Sequence, residues 1–259
     1  MAGPQAISVS GAATDVGRVR SHNEDTFLVR PDLGIYLVAD GMGGHQAGDV
    51  ASAMVRLSVV DFFEVTRRQP WSPQFDDPRE DDLPEPARRL TAAIRKANRD
   101  IFSASHDHAG AYGMGSTVVA CHLPAGERRM WIAHVGDSRC YRIRAASLEL
   151  LTRDHSLVNE ALALDPSMSP EEIARLPSNI ITRALGLEAD VQVELGSVEV
   201  APGDTYLLCS DGLSGLITND EIVEAITLID DASEVCDLLV ALANDAGGVD
   251  NITAVAIKV

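Results

Sequence analysis

Lysine is nearly absent from this 259-residue chain, and the few basic residues are far outnumbered by acidic ones. Only Lys96 and Lys258 occur, and 39 acidic residues against 21 basic ones give a formal net charge of −18. A surface of that charge repels nucleic acid and anionic membranes. Neither is therefore expected as a partner.

Disulfide motifs and long apolar runs are also missing. The four cysteines form no CxxC pair, and we expect buried free thiols, which are typical of a reducing cytoplasm. The N-terminus lacks a basic segment followed by an apolar stretch, so no signal peptide is expected. No apolar run approaches the ~20 residues of a membrane span. We predict a cytoplasmic protein with no membrane segment in this chain.

What is present is a mixture of strand and helix patterns, with an apolar fraction of 46% that is ordinary for a globular protein. Strand patterns cover 7–14, 25–30, 34–39, 117–123, 129–135, 139–144, 147–151, 191–199, 204–210 and 251–258. Helix patterns cover 47–66, 87–105, 154–163, 170–176, 218–228 and 232–246. Clustered strands and clustered helices predict an α+β fold, with sheet packed on sheet and helices outside.

Two segments have a more specific interpretation. In the first helix, Val50, Met54, Leu57 and Phe63 recur at helical spacing and predict its apolar face. Residues 69–86 carry five prolines and many acids, which predicts a surface loop. No low-complexity linker divides the chain, so we predict a single domain.

Four aspartates occupy similar positions beside predicted buried strands. Asp40, Asp137 and Asp211 each follow an apolar run, and Asp250 precedes one. A buried carboxylate is costly unless a cation or a hydrogen-bond donor satisfies it. The pattern therefore suggests a hard-metal site built from oxygen ligands.

A guanidinium and two carboxylates lie within six residues in the segment Arg20-Ser-His-Asn-Glu24-Asp25. Arg20 could bind a phosphate through two nitrogens. Glu24 and Asp25 could contact a metal or its water. The alternative is a charged turn with surface ion pairs.

The segment Asp40-Gly-Met-Gly-Gly-His45 is rich in glycine, which lets the backbone approach a ligand closely. Asp40 could bridge two cations while the Gly41 carbonyl supplies another oxygen. His45 could act as a general acid, or simply be a cap or surface residue. A glycine-rich turn in which Asp40 caps amides is the alternative, and the Walker ending of a phosphate-binding loop is absent.

Two further glycine-containing segments stand beside predicted strands, at 113–117 (Gly-Met-Gly-Ser-Thr) and 136–139 (Gly-Asp-Ser-Arg). They could meet at one edge of a sheet. Ordinary turn chemistry is the alternative.

Taken in order, these motifs resemble the PPM/PP2C family of metal-dependent serine/threonine phosphatases, and its bacterial branch in particular. The set is completed by Ile-Thr-Arg-Ala-Leu-Gly at 181–186, Ser-Asp-Gly at 210–212 and Asp-Asn at 250–251. The resemblance covers residues 7–259 as one domain. It implies a four-layer α-β-β-α sandwich, with two antiparallel sheets inside and a two-metal centre at one end.

The resemblance also implies the metal ligands, which are Glu24, Asp40, Gly41, Asp137, Asp211 and Asp250. By that similarity, Asp40 bridges both metals, Asp211 and Asp250 bind the first, and Glu24 binds the second. Asp137, together with Asp211, would hold a third and weaker ion. Oxygen ligands favour Mn²⁺ or Mg²⁺ over zinc.

Three further roles follow from the resemblance. Arg20 would bind the phosphate, Asp25 would orient a metal-bound water, and His45 would be the general acid. The hypothesis is direct in-line attack by the water that bridges the two metals, without a phosphoenzyme.

Phosphorylated proteins, including a bacterial Ser/Thr kinase, are the expected partners of a monomeric enzyme. Residues 156–181 correspond to the flap of bacterial members. A small phosphoester or a phosphoserine-bearing anti-sigma-factor antagonist is an alternative substrate. An inactive sensing module should have lost metal carboxylates, and a calcium-binding structural protein should group its acids in one loop.

Overall fold

In the computed structural model of this chain, which describes residues 9–43, 47–107, 113–177 and 179–259, strands and helices alternate in clusters. The strands are β1 (Val9–Asp15), β2 (Asp25–Arg30), β3 (Ile35–Met42), β4 (Gly115–Ser116), β5 (Val118–His122), β6 (Arg129–Val135), β7 (Arg139–Arg144), β8 (Ser147–Leu150), β9 (Glu194–Glu199), β10 (Thr205–Cys209) and β11 (Ile252–Lys258). The helices are α1 (Ala47–Thr66), α2 (Glu85–Asp107), α3 (Leu157–Leu164), α4 (Pro170–Ile173), α5 (Asp211–Ser214), α6 (Asn219–Leu228) and α7 (Ala232–Asp245).

The strands form two antiparallel sheets that pack against each other. The first sheet has the order β1-β11-β10-β7-β8, and the second has the order β2-β3-β5-β6-β9, with β4 paired to β3. Helix α7 packs on β1 and β11 of the first sheet, while α1 packs on β3 of the second and against α2. The predicted α+β sandwich with flanking helices is therefore confirmed.

Three apolar clusters fill this four-layer arrangement. One lies between the sheets, and one lies under the helices on each outer side. The central strands β3, β5 and β6 have both faces covered, which is why they are continuous apolar runs and lack the alternation of a half-exposed strand.

Helix α1 buries a face that only partly overlaps the predicted one. Phe63 is fully buried and Met54 packs against the core, but Val50 and Leu57 are 48% and 58% exposed. Small residues such as Ala51 dominate the buried stripe because they let the helix approach the sheet closely. The prediction was wrong at Val50 and Leu57 because it weighted the large apolar side chains.

The loop between α1 and α2 is more ordered than expected. It contains two 3₁₀ turns, Pro73–Phe75 and Pro78–Glu80, and α2 begins at Glu85. Trp71 and Phe75 pack beside Phe62 of α1, at ring-centroid distances of 5.9 and 6.1 Å. The segment is a surface loop, as predicted, but it is anchored to the core under α1.

Other differences are local. Helix α6, predicted over 218–228, opens with a capping box between Thr218 and Glu221. Strand β9 begins at Glu194, later than predicted, and the one-turn helix α5 was not predicted. Among the described residues, none of the helices combines the length and the apolar character that a membrane span requires.

Candidate metal centre

The predicted acidic residues meet at one end of the two sheets. Asp25 and Asp40 are direct partners across the antiparallel strands β2 and β3. The sequence pattern had suggested that Asp40 lies at the end of a strand. Strand β3 continues to Met42, so Asp40 lies within the strand. Asp211 starts α5 directly after β10, and Asp250 stands two residues before β11. The cluster therefore bridges the second sheet to the first.

Asp40 is held in place by the two glycine-containing segments. Its backbone N–H donates to Thr117 Oγ1 at 3.0 Å, and its carbonyl accepts the Thr117 N–H at 2.8 Å and the Ser116 hydroxyl at 3.0 Å. Thr117 Oγ1 in turn lies 2.7 Å from Ser138 Oγ. The prediction that residues 113–117 and 136–139 meet at one sheet edge is confirmed.

Asp25 is buried with only part of its hydrogen-bonding capacity used. The Ser210 hydroxyl donates to its Oδ2 at 2.7 Å, while Oδ1 is buried and has no partner among the described residues. Burial, helped by the charges of Asp211 and Asp250, raises the pKa of Asp25 to about 7 against the hydrogen bonds from Thr253 and Ser210. Without a cation beside it, this carboxyl is therefore costly to ionise.

The other carboxylates show the same crowding. Burial raises the pKa of Asp40 well above its usual range, and the charges of Asp25, Asp211 and Asp137 add to the effect. Burial, followed by the Asp211 charge, raises the pKa of Asp137 to about 7. Burial and the Asp250 charge raise the pKa of Asp211. These groups repel one another unless a cation lies between them.

The carboxylate oxygens that lack partners fit a divalent cation. In the described part of the chain, Oδ1 of Asp25, Asp137 and Asp211 is buried without any hydrogen bond. Buried anionic oxygens without partners are costly. Carboxylate oxygens are the donors that Mn²⁺ and Mg²⁺ prefer.

Two glycines bring the Glu24 carboxylate and the Gly41 carbonyl together. A Cβ on Gly48 would lie 2.6 Å from Glu24 Oε1 and 2.9 Å from the Gly41 oxygen. A Cβ on Gly41 would lie 2.0 Å from the Gly48 oxygen. The start of α1 can therefore approach β3 only with glycine at both positions. Burial raises the pKa of Glu24, and the Arg20 charge opposes this shift.

Arg20 lies at the rim of the carboxylate cluster. Its Nη2 donates to Asp250 Oδ2 at 2.8 Å, and its side chain is 52% exposed. The hydrogen bond to Asp250 and the charge of that carboxylate raise the pKa of Arg20. A guanidinium at this position can contact an anion that enters from solvent.

Asn251 was part of a recognised motif but had received no role. Its Oδ1 accepts the Glu24 N–H at 2.8 Å, and its Nδ2 donates to the carbonyls of Val16 and His22 at 3.0 and 2.9 Å. The side chain therefore ties the segment carrying Arg20 and Glu24 to β11. The predicted general acid, His45, lies outside the described residues.

A second group of potential ligands lies apart from the predicted site. Ligand atoms of His134, His155 and Glu194 are within 4.8 Å of one another. The two imidazole rings are stacked, with centroids 4.9 Å apart and planes 9° from parallel. Nitrogen lone pairs lie in the ring planes, so nearly parallel rings do not aim at one ion. Arg183 Nη1 also lies 2.9 Å from His155 Nε2, which disfavours a cation there.

With this geometry established, comparison with known proteins identifies the family. The family model described as Protein phosphatase 2C matches residues 17–244, most of the chain. This chain belongs to the protein phosphatase 2C family. A serine/threonine phosphatase, stp, of Listeria monocytogenes serotype 4b (strain F2365) is 36% identical over 248 residues, which cover 95% of this chain and 93% of that one.

Solved structures agree with this assignment. The serine/threonine phosphatase PstP/Ppp of Mycobacterium tuberculosis is 33% identical, with a TM-score of 0.81 and coverage of 97% of this chain and 98% of that one. A structure of the PstP catalytic domain in complex with 2 manganese ions is 33% identical, with a TM-score of 0.78 and coverage of 97% of both chains. The predictions of a metal-dependent protein serine/threonine phosphatase and of Mn²⁺ or Mg²⁺ as cofactor are confirmed.

Proposed function

We propose that this phosphatase hydrolyses phosphoserine and phosphothreonine in proteins at the carboxylate cluster, with Arg20 as the first contact for the phosphate. One observation carries the proposal. Three aspartates that act electrostatically on one another, directly or through Asp40, each carry a buried oxygen without a hydrogen-bond partner, and Asp250 of the same cluster pairs with a half-exposed guanidinium. Such an arrangement suits cations on its inner side and an anion at its rim.

The proposed metal ligands are Glu24, Asp40, Gly41, Asp137, Asp211 and Asp250. The central position of Asp40 supports a bridging role, since the charges of the surrounding aspartates all act on its pKa. Asp211 and Asp250 would complete one site and Glu24 the other, while Asp137 would serve a weaker outer site. When bound, Mn²⁺ or Mg²⁺ supplies neutralisation of phosphoryl oxygens and activation of water.

The chain's own residues supply the remaining steps. Arg20 would hold two phosphoryl oxygens through its paired nitrogens, since its bond to Asp250 uses only one of the five guanidinium N–H donors. Asp25, oriented by the Ser210 hydroxyl, would position the attacking water. His45 is proposed as the acid that protonates the departing serine or threonine oxygen. Attack by water is direct, without a phosphoenzyme.

We also propose a cytoplasmic, monomeric enzyme that opposes a bacterial Ser/Thr kinase. The four cysteines are all buried and free, which supports a reducing compartment. The relatives named as serine/threonine phosphatases are bacterial, which supports this substrate class. Dephosphorylation of a kinase's autophosphorylated activation loop, measured against a small phosphoester, tests the substrate class.

Metal removal tests the centre itself. We expect EDTA to abolish hydrolysis of p-nitrophenyl phosphate and Mn²⁺ to restore it. Asp211→Asn should lose Mn²⁺ binding and activity together, by more than about 100-fold, since even partners outside the ligand set cost 10- to 100-fold. Asp32→Asn, on an exposed aspartate paired with Arg30, is the matched control and should behave like the parent.

Two results would contradict the proposal. Full turnover in excess chelator would exclude a metal-dependent reaction. Parent activity in Asp211→Asn would exclude this residue as an essential ligand.

A further inference from the structure

The segment from residue 157 to residue 180, which carries α3 and α4, leaves and rejoins the sandwich at one place. An isolated bridge joins Ser156 to Ile181, and the Thr182 N–H donates to the His155 carbonyl at 2.9 Å. This segment corresponds to the flap named from the sequence. His155 and Thr182 are therefore the two anchor residues of this segment.

His155 also holds both polar backbone atoms of Gly136. Its backbone N–H donates to the Gly136 carbonyl at 2.9 Å, and its Nδ1 accepts the Gly136 N–H at 3.0 Å. The His155 side chain is buried, and so is Gly136. Gly136 directly precedes Asp137, so the anchor residue His155 is hydrogen-bonded next to a proposed metal ligand.

The remaining atoms of the imidazole are also engaged. Because Nδ1 accepts a hydrogen bond, the neutral ring carries its proton on Nε2, which faces Glu194 Oε2 at 3.2 Å. Arg183, next to Thr182, donates through Nη1 to the Gln192 carbonyl at 3.3 Å. The same nitrogen lies 2.9 Å from Nε2, where two N–H donors face each other without a hydrogen bond. Burial and the His134 charge lower the pKa of His155 to about 4, so the ring stays neutral and Nδ1 remains an acceptor.

The conformation of the turn that carries Asp137 depends on hydrogen bonds from residues outside the turn. It connects β6 of one sheet to β7 of the other, and Gly136 has a φ of +107°, where a Cβ would lie 2.6 Å from Thr117 Cγ2. Glycine permits many other conformations. On one side Ser138 bonds Thr117, and on the other His155 bonds Gly136.

We infer that His155 is a positioning residue whose Nδ1 fixes the turn at Gly136 and thereby holds the Asp137 carboxylate at the metal centre. The inference rests on the proposed role of Asp137 as a ligand of the weaker outer site. Without the acceptor, the buried Gly136 N–H would lose its partner, and the turn would rotate to recover one. The Asp137 carboxylate would move with it.

A pair of amide variants separates the Nδ1 contact from general packing. In His155→Asn the side-chain oxygen can occupy the place of Nδ1, whereas in His155→Gln it falls near the place of Nε2. We expect calorimetric titration of the full chain with Mn²⁺ to show near-parent binding for His155→Asn. For His155→Gln, the weakest class of site should bind about 10- to 100-fold less tightly, with the tighter class unchanged.

Two further variants are the controls. Asp137→Asn should lose the same weak class, and adding His155→Gln to it should change nothing more, because both act on one carboxylate. His122→Gln removes another buried imidazole, whose Nδ1 lies 3.0 Å from the Gly34 carbonyl oxygen, and should leave Mn²⁺ binding unchanged. A parent-like weak site in His155→Gln, with Asp137→Asn deficient, overturns the inference and leaves the metal centre intact.

The other adverse outcomes are distinct. If Asp137→Asn binds Mn²⁺ like the parent, the proposed ligand role fails and the inference falls with it. If His122→Gln weakens binding as much as His155→Gln, the effect comes from lost packing and the inference is overturned. Equal losses in His155→Asn and His155→Gln would likewise overturn the role of Nδ1.

Discussion

Asp25 and Asp40 are neighbours across β2 and β3, so strand pairing itself places two carboxylates side by side. Like charges directly opposite each other destabilise a sheet. Burial is the main reason that the pKa values of both residues are raised, and the charges of neighbouring aspartates add to it, so protonation relieves both costs in the metal-free protein. The centre therefore costs folding stability until cations neutralise it.

At the level of single residues, this cost predicts a pH-dependent stability. A carboxyl such as Asp25, whose pKa rises from 3.8 to about 7 on folding, contributes stability that is complete below pH 3.8 and lost as the pH rises to about 7. We expect Asp25→Asn in EDTA to gain stability relative to the parent between pH 5 and pH 8.

Thermal unfolding of both proteins at pH 5 and pH 8 provides the measurement. The difference in Tm should grow by several degrees, given about 2–4 °C per kcal/mol in a protein near this size. The buried histidines titrate in both proteins and cancel from the comparison. An unchanged difference between the two pH values would refute the expectation, and the variant should hydrolyse substrate more slowly in Mn²⁺.

The proposed ligands could be picked out from sequence because each stands in a recognisable local context. The residues that hydrogen-bond to the acidic segment Glu24-Asp25 and fix its position could not be predicted. Asn251 bonds Glu24 across 227 positions of sequence, and Ser210 bonds Asp25 across 185. An asparagine or a serine has many ordinary uses, and only the folded chain reveals which backbone group it meets.

At the level of elements, the loop between α1 and α2 is fastened by an ion pair as well as by aromatic packing. Arg95 of α2 bonds Glu80 and also donates to the Phe75 carbonyl at 3.0 Å. Both members of the pair are only 12% exposed. Trp71 Nε1 donates to Asp76 at 2.7 Å and closes the turn. These contacts give the loop a structural purpose that its proline-rich composition did not indicate.

Removal of Glu80 should therefore destabilise the protein without affecting catalysis. Glu80→Ala leaves the Arg95 guanidinium partly buried without its carboxylate, and we expect a loss of about 1–3 kcal/mol. Guanidinium chloride unfolding measures the loss, and kcat in Mn²⁺ should match the parent. Glu64→Ala, which breaks a pair with Arg30 at a 53%-exposed carboxylate, should cost less than about 1 kcal/mol. Equal losses in the two variants would contradict the anchoring role.

Strands and helices could be predicted where a single physical cause explains the pattern of apolar residues. The continuous apolar runs of β3, β5 and β6 follow from burial on both faces, and their positions were predicted closely. Helix α1 has two competing apolar stripes, and the buried one is built from small residues such as Ala51. The helical spacing of large apolar residues does not show which stripe of the helix faces a sheet until the position of the sheet is known.

For the molecule as a whole, the interface between the sheets contains a pair of thiols. Cys121 of the second sheet and Cys140 of the first lie with their Sγ atoms 3.7 Å apart, and both are fully buried. The contact with Cys121 and burial raise the pKa of the Cys140 thiol, and burial raises that of Cys209 and of Cys236 to about 12. Thiols in this state are unreactive as long as the sandwich stays closed.

Thiol labelling should report on the global stability of the sandwich. We expect all four cysteines to resist DTNB in the native protein and to react fully in guanidinium chloride. Labelling of the native protein should be slower with Mn²⁺ than with EDTA, since cations that bind the folded state suppress opening. Rapid reaction of any cysteine in the Mn²⁺-loaded protein would contradict the buried arrangement.

The closed base of the segment between Ser156 and Ile181 has a consequence for how this enzyme can diversify. Because its ends meet, the segment can change in length or composition at little entropic cost and without displacing His155 or Thr182. Its outer residues, such as Leu164 at 88% exposure, are free of the core's packing constraints. The whole segment can therefore be exchanged as one unit while the strands that carry the proposed metal ligands stay in place.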